Sequence, residues 1–196
     1  MQTTLLKSSA HNIPIPDKSV HCVVTSPPYW GLRVYDGDQA VEWPEVRYHP
    51  LRYCPEIVIP SWRGGLGNEP TPDAYIGHMI LCLREWGRVL RGDGTLWVNL
   101  GDSYAGSGKG GCPSKNLVGI PHLFAFAAQA VEFILSNTCV WFYCPNSCLR
   151  KFFTALLCPM EPVKSLCSAM SSLLRFKHSL ASHLIPSLIG LMNVRV

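Results

Sequence analysis

Val20-His21-Cys22-Val23-Val24 is a short β-branched, apolar run. It is closed by Pro27-Pro28, and this pattern predicts a short buried strand that ends in a stiff, extended loop. Further on, Ile76, Met79, Ile80, Leu83 and Trp86 recur on one helical face. They predict a helix capped by Asp73 and running to about Leu90. Gly92-Asp93-Gly94 then reads as a turn, and Thr95 to Leu100 as a second strand. Leu117 to Ala130 has the spacing of a second amphipathic helix, entered through Pro121. Strand, loop, helix, strand, loop, helix is the order of a doubly wound α/β sheet.

In open α/β sheets, ligands bind beyond the carboxyl ends of the strands. The loop there carries a small hydroxyl (Ser26), carbonyls held by prolines (Ser26, Pro27) and the aromatic rings of Tyr29 and Trp30. A planar amine suits that set: its ring stacks on Tyr29 while its NH2 donates to Ser26 and a carbonyl. Ser26-Pro27-Pro28-Tyr29 resembles the catalytic loop of the DNA amino-methyltransferases that act on N4 of cytosine or N6 of adenine. Further blocks are similar to the phage and bacterial site-specific members. They are Pro16 to Val20, Gly31 to Arg33, Glu69-Pro70-Thr71-Pro72-Asp73-Ala74-Tyr75, Arg88 to Tyr104 and Lys115 to Pro121, within roughly residues 8–130. The resemblance implies a Rossmann-like, S-adenosyl-L-methionine-dependent methyltransferase fold, with double-stranded DNA as partner. It implies catalytic roles for Ser26, Pro27, Pro28 and Tyr29, and places Trp30, Asn99 and Asp102 beside the target base. For Asp102 a turn-forming role is the alternative. Asp17 is expected to cap a turn before the first strand. Serine at the first loop position leans toward N4 of cytosine.

Charge alone does not point to DNA. Residues 1–130 hold 11 Lys/Arg and 11 Asp/Glu, and the formal charge of +4 comes entirely from the six Lys/Arg and two Asp/Glu after them. Residues 33–66 nevertheless form a basic and aromatic insert. Arg33, Arg47, Arg52 and Arg63 alternate with Tyr35, Trp43, Tyr48, Tyr53 and Trp62. Such a mixture suits phosphate contact and base stacking, or else a packed surface loop. Lys109 and Lys115 flank a Gly-rich connection that can border DNA. Gly106-Ser107-Gly108-Lys109-Gly110 lacks the spacing of a phosphate loop. No run reaches the length of a membrane span, and the N-terminus has no apolar secretory core. Nine cysteines without an export signal suggest reduced thiols in a cytoplasm. Cys139, Cys144 and Cys148 lack a second ligand pair, so no metal is expected.

Residues 131–196 read differently, with one glycine, no aspartate, five cysteines and nine serines. The family resemblance calls here for a turn and strand, and later for a glycine-rich cofactor loop followed by a ribose-binding carboxylate. Those cofactor motifs are missing. The expectation is an incomplete fold: an N-terminal methyltransferase part over 1–130, and an atypical tail that comes from a frameshift near residue 131 or else is a divergent or unrelated segment. The alternative functions are an inactive remnant and a non-catalytic DNA-binding protein.

Overall fold

The computed structural model describes residues 3–32, 40–106, 111–142 and 188–195. In chain order the elements are β1 (Val20–Thr25), β2 (Val41–Trp43), β3 (Val46–Tyr48), β4 (Ile57–Ile59), β5 (Trp62–Gly64), α1 (Pro72–Val89), β6 (Leu90–Gly101), α2 (Ile120–Ala130), β7 (Ile134–Phe142) and β8 (Leu188–Arg195). The two strands expected to neighbour each other do so. β1 and β6 are parallel, with Val23 opposite Leu96 and Thr25 opposite Val98. The turn expected at Gly92–Gly94 is an irregularity inside β6: the register steps from Val20↔Leu90 to Cys22↔Thr95, so the residues between are extra on one strand.

β1 is less buried than its composition suggested, with Val24 51% exposed. It lies at the sheet edge, in the order β1-β6-β8-β7. An edge strand has a neighbour on one side only. The strand that the family resemblance calls for after the second helix, and that this tail was not expected to supply, is present as β7. It follows a turn in which Glu132 takes φ 72, a left-handed conformation that glycine adopts more readily. β8 runs antiparallel between β6 and β7 and pairs with both. The edge of β6 away from β1 is therefore filled by backbone from the far end of the chain.

Thr71, rather than Asp73, caps α1. Its Oγ1 accepts the Ala74 N–H at 3.2 Å, Pro72 opens the first turn, and Asp73 adds a negative charge near the positive end of the helix dipole. All five predicted apolar positions of α1 are buried. Burying each large apolar side chain contributes about 1.5–3 kcal/mol. α1 and α2 touch each other, and both touch β6, so they cover one face of the sheet. Among the described residues the second helical layer of a doubly wound sheet has no counterpart.

The insert folds as two antiparallel pairs, β2 with β5 and β3 with β4. It packs tightly on α1. A Cβ added at Gly77 would lie 2.9 Å from Val46 Cγ1 and 3.0 Å from Ile59 Cγ1. Arg88, at the other end of α1, donates to the carbonyls of Ile13 and Ile15 and to Glu85 and Asp17. Asp17 is thus an ion-pair partner of Arg88 rather than a turn cap. Together these contacts tie the segment before β1 to the helix.

Candidate functional site

Ser26, Pro27, Pro28 and Tyr29 leave the carboxyl end of β1 and turn over the carboxyl end of β6. A Cβ at Gly101 would fall 2.6 Å from Tyr29 Cδ2, so the tyrosine ring lies directly on the β6 backbone. Only glycine leaves room for it there. Ser26 is exposed and Tyr29 half-buried. Their hydroxyl oxygens are 3.3 Å apart, so the loop presents two adjacent hydroxyls to solvent. Pro27 is buried.

The loop is held from behind by the Glu69–Tyr75 block. Tyr75 donates its hydroxyl to the Pro28 carbonyl at 2.9 Å. Trp30 donates Nε1–H to the Glu69 carbonyl at 2.9 Å. Gly31 N–H donates to the Gly67 carbonyl at 2.8 Å. Gly67 takes φ +93, and a Cβ on it would approach the Tyr29 carbonyl oxygen at 3.1 Å. That conformation and that closeness both call for glycine. One side of the loop is therefore fixed to a turn and a helix start, while Ser26 faces outward.

Two expected substrate contacts turn out differently. Trp30 is 2% exposed and anchored through its indole N–H, so its ring lies in the core rather than facing a ligand. Asp102 is also 2% exposed. Its carboxylate accepts the N–H groups of Ser103, Gly119 and Ile120 at 2.9–3.2 Å. Gly119, the left-handed cap residue of α2, has no side chain of its own to do this. Asp102 thus supplies the cap from a distance, a structural role. Asn99 is 2% exposed, and its Oδ1 has no hydrogen-bond partner among the described residues.

The insert divides in the same way. Trp43 and Tyr48 are buried core residues. Trp43 Nε1–H donates to the Gly64 carbonyl, and the Tyr48 hydroxyl donates to the Asp73 carbonyl. Trp62 is half-buried against the core and stacks on His78. Arg47 pairs with Glu45 and Arg63 with Glu42, all on the surface. Arg52 and Tyr53 are exposed, and Lys115 is exposed with φ 73. Arg33, Tyr35 and Lys109 lie outside the described residues. The insert is mainly a structural cover for α1, and two of its exposed arginines are paired with glutamates. No group of three or more metal-ligating side chains is found among the described residues.

Sequence reasoning assigned no role to Glu69, Tyr75, Gly67 or Gly101 in shaping this loop. The Glu69–Tyr75 block stood out only by resemblance. Its glutamate, capping threonine, prolines and tyrosine have separate tasks that become visible once α1 lies behind the loop.

A proline-stiffened loop thus lies over the carboxyl ends of two parallel strands of an α/β domain. The N6/N4 methyltransferase family model, described as DNA methylase, matches residues 20–159. The chain belongs to this DNA methylase family. It is 31% identical over 148 residues to the type II methyltransferase M.Cfr9I of Citrobacter freundii, covering 65% of this chain and 41% of that one. It is 32% identical over 158 residues to the type II methyltransferase M.SfiI of Streptomyces fimbriatus, covering 76% and 31%. The chain thus spans less than half the length of either relative. Among solved structures, PvuII DNA methyltransferase (cytosine-N4-specific) is similar at a TM-score of 0.44 and 14% identity, covering 93% of this chain and 44% of that one.

Proposed function

We propose that this chain carries the methyl-acceptor part of a DNA methyltransferase that moves a methyl group from S-adenosyl-L-methionine to an exocyclic amine, N4 of cytosine in preference to N6 of adenine. The observation that carries the reading is the Ser26–Tyr29 loop, held by Tyr75 and Gly67 with Ser26 facing outward. A base in the duplex has its amine engaged in pairing, so it must leave the stack to react. Tyr29 stacks on the flipped base. Ser26 Oγ and the Pro27 carbonyl accept the amine hydrogens and so aim the nitrogen lone pair. The Pro28 carbonyl already accepts from Tyr75, so it serves the loop and not the substrate. Rate comes from holding the nitrogen in line with the incoming methyl, without a covalent enzyme intermediate.

S-adenosyl-L-methionine, when bound, supplies the electrophilic methyl. The described residues do not complete a site for it: no glycine-rich loop follows a strand in the expected way, and no carboxylate stands ready for a ribose. We infer that the rest of the cofactor site belongs to sequence that the tail, from 131 to 196, does not supply. Arg52 and Lys115 are the exposed basic residues proposed to meet phosphate, with Arg33, Arg47, Arg63 and Lys109 as further candidates. Among the described residues no helix is long and apolar enough to cross a membrane.

The test is a fusion of this chain to the remaining portion of the Citrobacter relative, incubated with labelled cofactor and DNA. Hydrolysis of the DNA should yield labelled N4-methylcytosine, and Ser26→Ala should abolish it. A cooperatively folded fusion that labels no base would overturn the reading, and labelled N6-methyladenine would overturn the cytosine preference.

A further inference from the structure

Glu69 and His78 form a pair that the loop chemistry does not itself use. Both side chains are completely buried, and His78 Nδ1 lies 2.9 Å from Glu69 Oε1. The two atoms are joined by a hydrogen bond. The imidazole stacks with two indoles: Trp43 at 4.6 Å and 18°, and Trp62 at 5.5 Å and 14°. The second carboxylate oxygen, Oε2, accepts the Gly67 N–H at 2.8 Å. Burying such polar groups is costly, and here His78 Nε2 has no hydrogen-bond partner among the described residues. A core function alone would be served as well by apolar residues of similar volume.

The placement of the pair explains its presence. Gly67 accepts from Gly31 N–H and lies against Pro28 and the Tyr29 carbonyl. The Glu69 carbonyl accepts from the Trp30 indole. Through these two residues the carboxylate reaches both flanks of the segment Pro28 to Gly31. His78, one helical turn past Tyr75, fixes the carboxylate in turn.

We propose that Glu69 and His78 are positioning residues that set the pose of the Ser26–Tyr29 loop for the methyl acceptor. This rests on the function proposed above but is read out independently of it. The full chain is isotope-labelled, and hydrogen exchange at the Trp30 indole N–H is followed by NMR, with the signal assigned through Trp30→Phe. Glu69→Gln places an amide that cannot accept from both Gly67 and His78, and should raise Trp30 exchange roughly tenfold or more, as expected for loss of a charge-assisted hydrogen bond. The Trp86 indole, elsewhere on α1, should be unaffected. His78→Leu should loosen Trp30 similarly, while His78→Asn, which keeps a donor toward Glu69, should restore most of the protection. Wild-type exchange in Glu69→Gln, or equal loosening by Leu and Asn at position 78, overturns the proposal. If the variants do not fold, the imidazole nitrogen shifts of the wild-type chain decide: a His78 Nδ1 that takes no part in a hydrogen bond overturns the pair. Loosened Trp30 in a chain whose fusion transfers no methyl leaves the positioning intact and sinks the functional reading instead.

Discussion

Pro28 is the residue where stiffness and function coincide. Its carbonyl is held by Tyr75 and its ring lies near Gly67. Pro28→Ala should therefore lower stability by about 1 kcal/mol or less through unfolded-state entropy. Methyl transfer by the fusion should drop more steeply, because the loop loses preorganisation. Matched kinetics and urea unfolding check this, and equal losses in both would contradict it. Gly101→Ala tests the other side of the loop. A Cβ there would collide with the Tyr29 ring at 2.6 Å and push it off β6. A displacement of that kind should cost on the order of 100-fold in rate, read as a fall in kcat.

At the level of elements, the insert and α1 are one packing unit. Gly77 is the contact point, with Val46 and Ile59 against it. Alanine is the better helix former by about 1 kcal/mol, so Gly77→Ala on an open helix would stabilise. Here it should destabilise by about 1–3 kcal/mol through overpacking, measured as a lower urea midpoint at unchanged slope. α2 depends on a carboxylate from outside the helix. Asp102→Ala leaves the Gly119 and Ile120 N–H groups without their acceptor and should cost about 1–3 kcal/mol. A variant as stable as the wild type would mean that Asp102 is not the working cap.

For the molecule as a whole, the parallel pair β1–β6 is sound, but the sheet beyond it is completed by antiparallel β8. The chain alone should show broad thermal unfolding and no measurable S-adenosyl-L-methionine binding in calorimetry. A sharp transition with micromolar affinity would show that the tail provides a real cofactor half. Acid should loosen the N-terminal segment. Glu85 is held below its ordinary value of 4.5, chiefly by its hydrogen bond from Arg88, and it also accepts from the Ile13 N–H. A depressed folded value means that its stabilisation is full above 4.5 and is lost as pH falls through the folded value. Glu85→Gln should flatten the pH dependence of stability below 4.5. An unchanged slope would remove Glu85 from that role.

Local pattern determined much of this protein. Periodicity set α1 and its buried face, because a helix must bury one stripe. Two prolines after an apolar run set the loop at the strand end, because neither can continue a ladder. Resemblance in the same residues pointed to the family. What lies behind the loop was decided only by the fold. Trp30, Trp43, Tyr48 and Asp102 have types that suit ligand contact equally well. Their burial and partners depend on residues 17 to 39 positions away in the chain, and no local pattern carries that information. The half-buried state of β1 and the insertion of β8 have the same origin. Exposure and strand order depend on which distant segments compete for an edge, and tertiary packing alone decides that.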